Sequence, residues 1–164
     1  MDKFISATVF LKNRMVKYIA FVCGHNAGRS QMAQAAFNHF KRLVLKVYSE
    51  YEAISWGTET GSRVNPKVIE PLKAIGIDLT DMSIYFPKDI NHPFVQERLK
   101  DVIKVYTMGC MDKSCKLPPE IPKSEEVIDW ALEDPAKEDT NIIAVRDKLI
   151  RKILELISEL SRID

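Results

Sequence analysis

The order of strand and helix signals along the 164 residues predicts an α/β fold, a three-layer α/β/α sandwich. The expected sheet is four-stranded and mostly parallel, with helices on both faces. Two observations carry this expectation. Short, near-continuous apolar runs rich in β-branched and aromatic residues, such as Val16–Cys23 (VKYIAFVC), suit strands buried on both faces. Between them lie segments whose apolar residues recur at helical spacing. An apolar share of 46% and a charged share of 29% are ordinary for one globular domain of this length.

The N-terminal stretch carries an apolar run, Phe4–Leu11, broken by Ser6 and Thr8. It has no basic leading region and no small-residue cleavage site, so it reads as non-secretory. Met15 stands immediately before the first strong strand signal, which divides the chain into an N-terminal extension, 1–15, and a domain, 16–164. Val16–Cys23 is the first strand. The loop Gly24–Arg29 (GHNAGR) follows, then a helix from Ser30 to about Lys46 on Met32, Ala33, Ala36, Phe37, Phe40, Leu43 and Val44. Ala53–Trp56 is a second strand, stopped by Gly57. After the loop GTETGSRVNP, Asn65-Pro66 opens a helix through Ile69, Leu72 and Ile75 that Gly76 closes. Leu79–Asn91 is irregular, with a short helix expected around Asp81–Tyr85. Val102–Thr107 is the third strand, and 108–123 is a loop holding Pro118, Pro119, Pro122 and two cysteines. Val127–Leu132 is the fourth strand. Thr140 or Asn141 caps a last helix on Ile142, Val145, Leu149, Ile153, Leu156, Ile157 and Leu160.

A net charge of +1 gives no footing for nucleic acid or an anionic membrane surface, and neither is expected as a partner. The expected location is cytoplasmic. The cysteines are Cys23, Cys110 and Cys115, an odd number that argues against a disulfide framework and leaves catalysis, redox chemistry or metal binding. In open parallel sheets ligands bind beyond the carboxyl ends of the strands. Three segments fall there: the loop after strand one, the Cys110 loop after strand three, and Glu133-Asp134-Pro135 after strand four.

The first of these has the chemistry of an anion site. Gly24 and Gly28 let the backbone turn and approach a ligand. Successive N–H groups from Gly24, His25, Asn26, Ala27, Gly28 and Arg29 then form a nest, and the following helix adds its positive end. Arg29 supplies a planar fork matched to two oxygens of a tetrahedral oxyanion. The same field favours the thiolate of Cys23 as a nucleophile. Ser30 is placed to hydrogen-bond that thiolate, and Asn26 tolerates the left-handed backbone such a loop needs. The competing reading is a buried structural cysteine in a glycine-containing turn; the strand before and helix after weigh against it. His25 reads as a solvent-facing loop residue. Asp134-Pro135, taken alone, reads as a helix start with Asp as N-cap.

Three stretches taken together resemble the low-molecular-weight tyrosine phosphatase superfamily, and within it the thioredoxin-coupled arsenate reductases. They are FVCGHNAGRSQMAQAAF, GTETGSRVNPKVIEPLKAIGIDLT and EDPAKED, in that order. The resemblance runs from about Val16 to the last helix. It implies a phosphatase loop at the end of strand one, Cys23 as nucleophile, Arg29 and the loop N–H groups as oxyanion ligands, and Asp134 as general acid. It also implies that Cys110 and Cys115 complete a three-thiol relay whose final disulfide an external reductant, thioredoxin, reopens, with no resident cofactor or metal. The alternative within the family is a phosphatase hydrolysing phosphotyrosine through a phosphocysteine. Ala136 stands where the tyrosine phosphatases place an aromatic, and four residues separate Cys110 from Cys115, a shorter gap than in the reductases. Outside the family, Cys110 and Cys115 with His25 or His92 would make a metal site lacking an obvious fourth ligand, and a non-catalytic oxyanion binder would need neither the thiol nor the acid.

Overall fold

The computed structural model describes residues 15–109 and 127–163. β1 (Lys17–Cys23) is buried from Ile19 to Cys23. Alternation sends Ile19, Phe21 and Cys23 to one face and Ala20 and Val22 to the other. That two-sided burial is why its sequence reads as one apolar run. β1 pairs in parallel with β2 (Tyr51–Gly57) and β3 (Val102–Thr107), and β3 pairs in parallel with β4 (Val127–Asp129). The order is β2-β1-β3-β4, so every pairing in the sheet is parallel. The chain winds out to β2 and crosses back over β1 to β3. This reversal opens a crevice beyond the ends of β1 and β3.

The helices are α1 (Arg29–Phe40), α2 (Leu45–Glu50), α3 (Ile69–Lys73), α4 (Pro93–Gln96) and α5 (Ile142–Ser161). α1 and α5 cover the Phe21 face, where Phe21, Phe37, Tyr106 and Trp130 form an aromatic cluster with centroids 4.7 to 6.3 Å apart. On α5 the residues Val145, Leu149, Ile153, Leu156, Ile157 and Leu160 are buried, and Asn141 is the cap, accepting from the Ala144 N–H at 3.1 Å. The opposite face is covered by α4 and a 3₁₀ turn, Leu99–Asp101, whose Val95 and Leu99 pack on Val22, Ile54 and Trp56.

Several elements differ from expectation. The helix expected to run to Lys46 ends at Phe40. A 3₁₀ turn, Lys41–Leu43, and extended Val44 (φ −129°, ψ 110°) separate it from α2. Leu43, expected on the buried stripe, is 73% exposed. The end of α1 is instead tied to the outer edge of β2: the Asn38 amide donates to the Ala53 carbonyl at 3.3 Å and accepts its N–H at 2.9 Å, and Lys41 Nζ donates to the Tyr51 carbonyl at 2.9 Å. The second helix opens with a 3₁₀ turn, Pro66–Val68, capped by Asn65 and closed near Gly76 at φ 86°. Asp81–Tyr85 is a single turn rather than a helix, closed by Tyr85 N–H to the Asp81 carbonyl at 2.8 Å. β4 stops at Asp129 because Ala131 takes φ 50°, and α4 was not expected. Asp134 caps no helix: its carboxylate accepts the Ala136 N–H at 2.9 Å in a turn. Most of the expected N-terminal extension lies outside the described residues. No described helix is long and apolar enough to cross a membrane.

Candidate functional site

The loop between β1 and α1 is held from outside. The carbonyls of Cys23, Gly24, His25 and Ala27 accept the N–H groups of Thr58, Glu59, Gly61 and Asn65, at 3.1, 2.8, 2.9 and 2.7 Å. With those oxygens turned outward, the N–H groups of Gly24, His25, Ala27 and Gly28 donate to no acceptor among the described residues. This is the geometry of a backbone anion nest at a helix N-terminus.

Its positive φ belongs to Asn26 (54°), not to a glycine. A Cβ on Gly24 would meet nothing within 4 Å, and one on Gly28 would sit in ordinary contact with Pro135, 3.6 Å from its Cγ. The glycine on which the loop rests is Gly57, at the end of β2. A Cβ there would lie 2.6 Å from the Gly24 carbonyl oxygen and 2.8 Å from the Asn26 nitrogen. In the sequence Gly57 stands out only as a strand stop. Its steric partners are more than thirty positions away, and no local signal reveals them.

Cys23 is 3% exposed. Its Sγ is 2.8 Å from Ser30 Oγ and accepts the Asn26 N–H at 3.2 Å. The direction of the serine bond follows from its neighbours. Asn26 Oδ1 accepts the Lys88 backbone N–H at 3.1 Å, which fixes the orientation of the Asn26 amide. Asn26 Nδ2 therefore donates to Ser30 Oγ at 2.7 Å and to Ser55 Oγ at 3.0 Å. The Ser30 hydroxyl hydrogen is left to point at Sγ, so the sulfur receives two donors. Ser55 passes the chain on to Gln34 Oε1, and Gln31 Nε2 ties Asn26 to the Phe86 carbonyl. Asn26, Ser30, Gln31 and Ser55 are all fully buried.

Arg29 is anchored at one nitrogen. Nη1 donates to the Met108 carbonyl at 2.6 Å and the Leu132 carbonyl at 2.8 Å, the chain exits of β3 and β4. Among the described residues Nε and Nη2 meet no acceptor, which leaves their hydrogens for a ligand. The Asp134 turn reaches the loop through Pro135, which is buried against Gly28. His25 is exposed, as expected, and its Nδ1–H donates to the Glu59 carbonyl at 2.9 Å. Cys110 and Cys115 lie outside the described residues. Among the described residues no cluster of His, Cys, Asp or Glu is arranged to hold a metal.

Two further groups escaped sequence reasoning. Asp129 accepts from Thr107 Oγ1 and Gly109 N–H, both at 2.7 Å, and from the Ala131 N–H at 3.2 Å. Lys88, behind the Asn26 network, is 3% exposed with Nζ over the Phe86 ring at 4.7 Å; burial lowers its pKa from 10.5 to about 8.

Residues 18–163 match the family described as low molecular weight phosphotyrosine protein phosphatase. The arsenate reductase of Staphylococcus xylosus is 34% identical over 136 residues, 81% of this chain and 90% of that protein. A solved structure of an arsenate reductase in the phosphate binding state superposes with a TM-score of 0.69 at 27% identity, covering 88% of this chain and 99% of that one. The thioredoxin-dependent arsenate reductase of Corynebacterium glutamicum superposes with a TM-score of 0.65 at 29% identity, over 90% of this chain and 63% of that one.

Proposed function

The chain belongs to the low molecular weight phosphotyrosine protein phosphatase family, and from that premise we propose that it reduces arsenate by a three-thiol relay. The coarser statement, an enzyme of the arsenate reductase or low-molecular-weight phosphatase type, follows from its relatives. The observation that supports the finer reading is the cradle itself: outward carbonyls, inward N–H groups, a doubly hydrogen-bonded sulfur and a guanidinium whose Nε and Nη2 meet no acceptor among the described residues. Among the described residues, His25, Glu59 and Ala136 beside the cradle are exposed and none of them is Phe, Tyr or Trp, which favours a small inorganic oxyanion over a walled phosphotyrosine slot.

In this reading the cradle N–H groups and Arg29 hold three oxygens of arsenate and offset the charge that builds on them. The Cys23 thiolate attacks arsenic as Ser30 and the Asn26 N–H hold the sulfur. Asp134 gives a proton to the departing oxygen, which leaves as water. A thiolate from the Cys110/Cys115 pair then attacks the Cys23 sulfur. The S–As bonding pair returns to arsenic, which leaves as arsenite, and a disulfide forms. The remaining thiol of the pair displaces Cys23, and a dithiol of the thioredoxin class reduces the Cys110–Cys115 bond. A phosphate monoester in the same cradle would pass its phosphoryl group to Cys23 as the P–O bond breaks and the protonated alcohol leaves, and water would then release phosphate from the phosphocysteine, so slow phosphatase turnover is expected. The test is Cys110→Ser, assayed for arsenate-dependent NADPH oxidation with thioredoxin and thioredoxin reductase, and for p-nitrophenyl phosphate hydrolysis. The relay requires that the first is lost and the second kept. Loss of both, or of neither, sinks it.

A further inference from the structure

We propose that Asp129 is a positioning residue for the oxyanion site, setting the reach of Arg29 without touching it. The inference rests on Arg29 being the oxyanion ligand. Arg29 Nη1 is held by two carbonyls from different strands' exits, Met108 and Leu132. The donors gathered by Asp129 bracket those carbonyls. Thr107 and Gly109 flank Met108 on one exit, and Ala131 precedes Leu132 on the other. One carboxylate therefore fixes the separation of the two oxygens that aim the guanidinium.

The backbone it spans needs such a clasp. Gly109 sits at φ 95°, where an added Cβ would be 2.6 Å from the Leu132 carbonyl oxygen and 3.2 Å from Arg29 Nη1, and Ala131 sits at φ 50°. Glycine takes such a φ freely, but alanine at 50° holds a conformation that an unrestrained chain disfavours. The three donors converge on a carboxylate, which accepts at both oxygens. An amide at 129 would point a donor at one of these donors.

A purely structural role and a positioning role separate in the selectivity of Cys23 alkylation. Iodoacetate carries a carboxylate that Arg29 attracts and iodoacetamide does not, so the ratio of their rates at Cys23, read by mass spectrometry of its peptide, reports the guanidinium's placement independently of the thiol's own reactivity. Expected is a wild-type ratio well above that of Arg29→Lys, and a fall of about tenfold in Asp129→Asn and Thr107→Val, with Thr107→Ser restored, one charge-assisted contact being lost. Melting temperatures are measured alongside. If Asp129→Asn does not fold, the Thr107→Val and Thr107→Ser pair decides. A wild-type ratio in folded Asp129→Asn, or in Thr107→Val, overturns the inference and leaves the cradle reading intact. A wild type with no preference for iodoacetate overturns the cradle reading as well.

Discussion

Replacing Gly57 by alanine tests how the phosphatase loop is supported. The new Cβ would stand 2.6 Å from the Gly24 carbonyl oxygen, 2.8 Å from the Asn26 nitrogen and 2.9 Å from the His25 carbonyl carbon, whereas ordinary contact begins at 3.4 Å. All three atoms are backbone, so no side chain can swing away. The loop must retreat by roughly 0.8 Å, or β2 must. Overpacking of this kind costs about 1–3 kcal/mol, a fall in melting temperature of about 2–12 °C for a chain of this size. The larger effect falls on rate. Misplacing an active-site group by about 1 Å can cost roughly a hundredfold, so kcat/KM for p-nitrophenyl phosphate and for arsenate should both drop about 30–100-fold. A Gly57→Ala enzyme with wild-type kinetics and stability would refute the claim that this glycine carries the loop.

Other consequences follow from the buried network. Ser30→Ala removes one of two donors to Sγ, and iodoacetamide alkylation of Cys23 should slow roughly tenfold; an unchanged rate would show that the Asn26 N–H suffices. Asn26→Ala strands the partners of a fully buried amide and places alanine at φ 54°, so urea denaturation should show a loss of about 3 kcal/mol or more. Asp134→Asn should lower kcat by roughly a hundredfold or more while leaving competitive inhibition by phosphate intact, since in the proposed mechanism the acid serves the departing oxygen and not the bound anion. Lys88 makes stability depend on pH. Its folded pKa of about 8 lies below its unfolded value near 10.5, so between these values the unfolded state binds the extra proton and stability rises with pH. The cost is fully present below about pH 8 and relieved by about 10.5. Lys88→Met should stabilise the neutral protein by up to about 3 kcal/mol and flatten that rise in a series of urea melts.

The parts of the molecule that were legible in the sequence are those whose cause is local. β1 reads as a buried strand because both its faces are covered, and α5 reads as an amphipathic helix because six of its expected positions are buried on one side. The loop at Cys23 reads as an anion site because its chemistry is compressed into eight consecutive residues. What could not be read depends on partners distant in the chain. Gly57 matters through Gly24 and Asn26, and Asp129 through Thr107 and Gly109. The early end of α1 has the same origin. Its apolar spacing continues to Leu43 and Val44, but the edge of β2 claims Asn38 and Lys41, and β-branched Val44 takes extended geometry. Periodicity records which residues share a face and not where the chain must turn.

That attachment of α1 has a consequence for how copies of the protein meet. β2 is an outer strand, and an outer strand offers its unpaired N–H and C=O groups to any chain that drifts alongside. Here the Asn38 amide occupies both groups of Ala53, Lys41 takes the carbonyl of Tyr51, and the Lys88 carbonyl takes the N–H of Gly57. The margin is stitched at Tyr51, Ala53 and Gly57 by the protein's own side chains and loop. A fifth strand finds those rungs already taken, which blunts that edge against edge-to-edge aggregation.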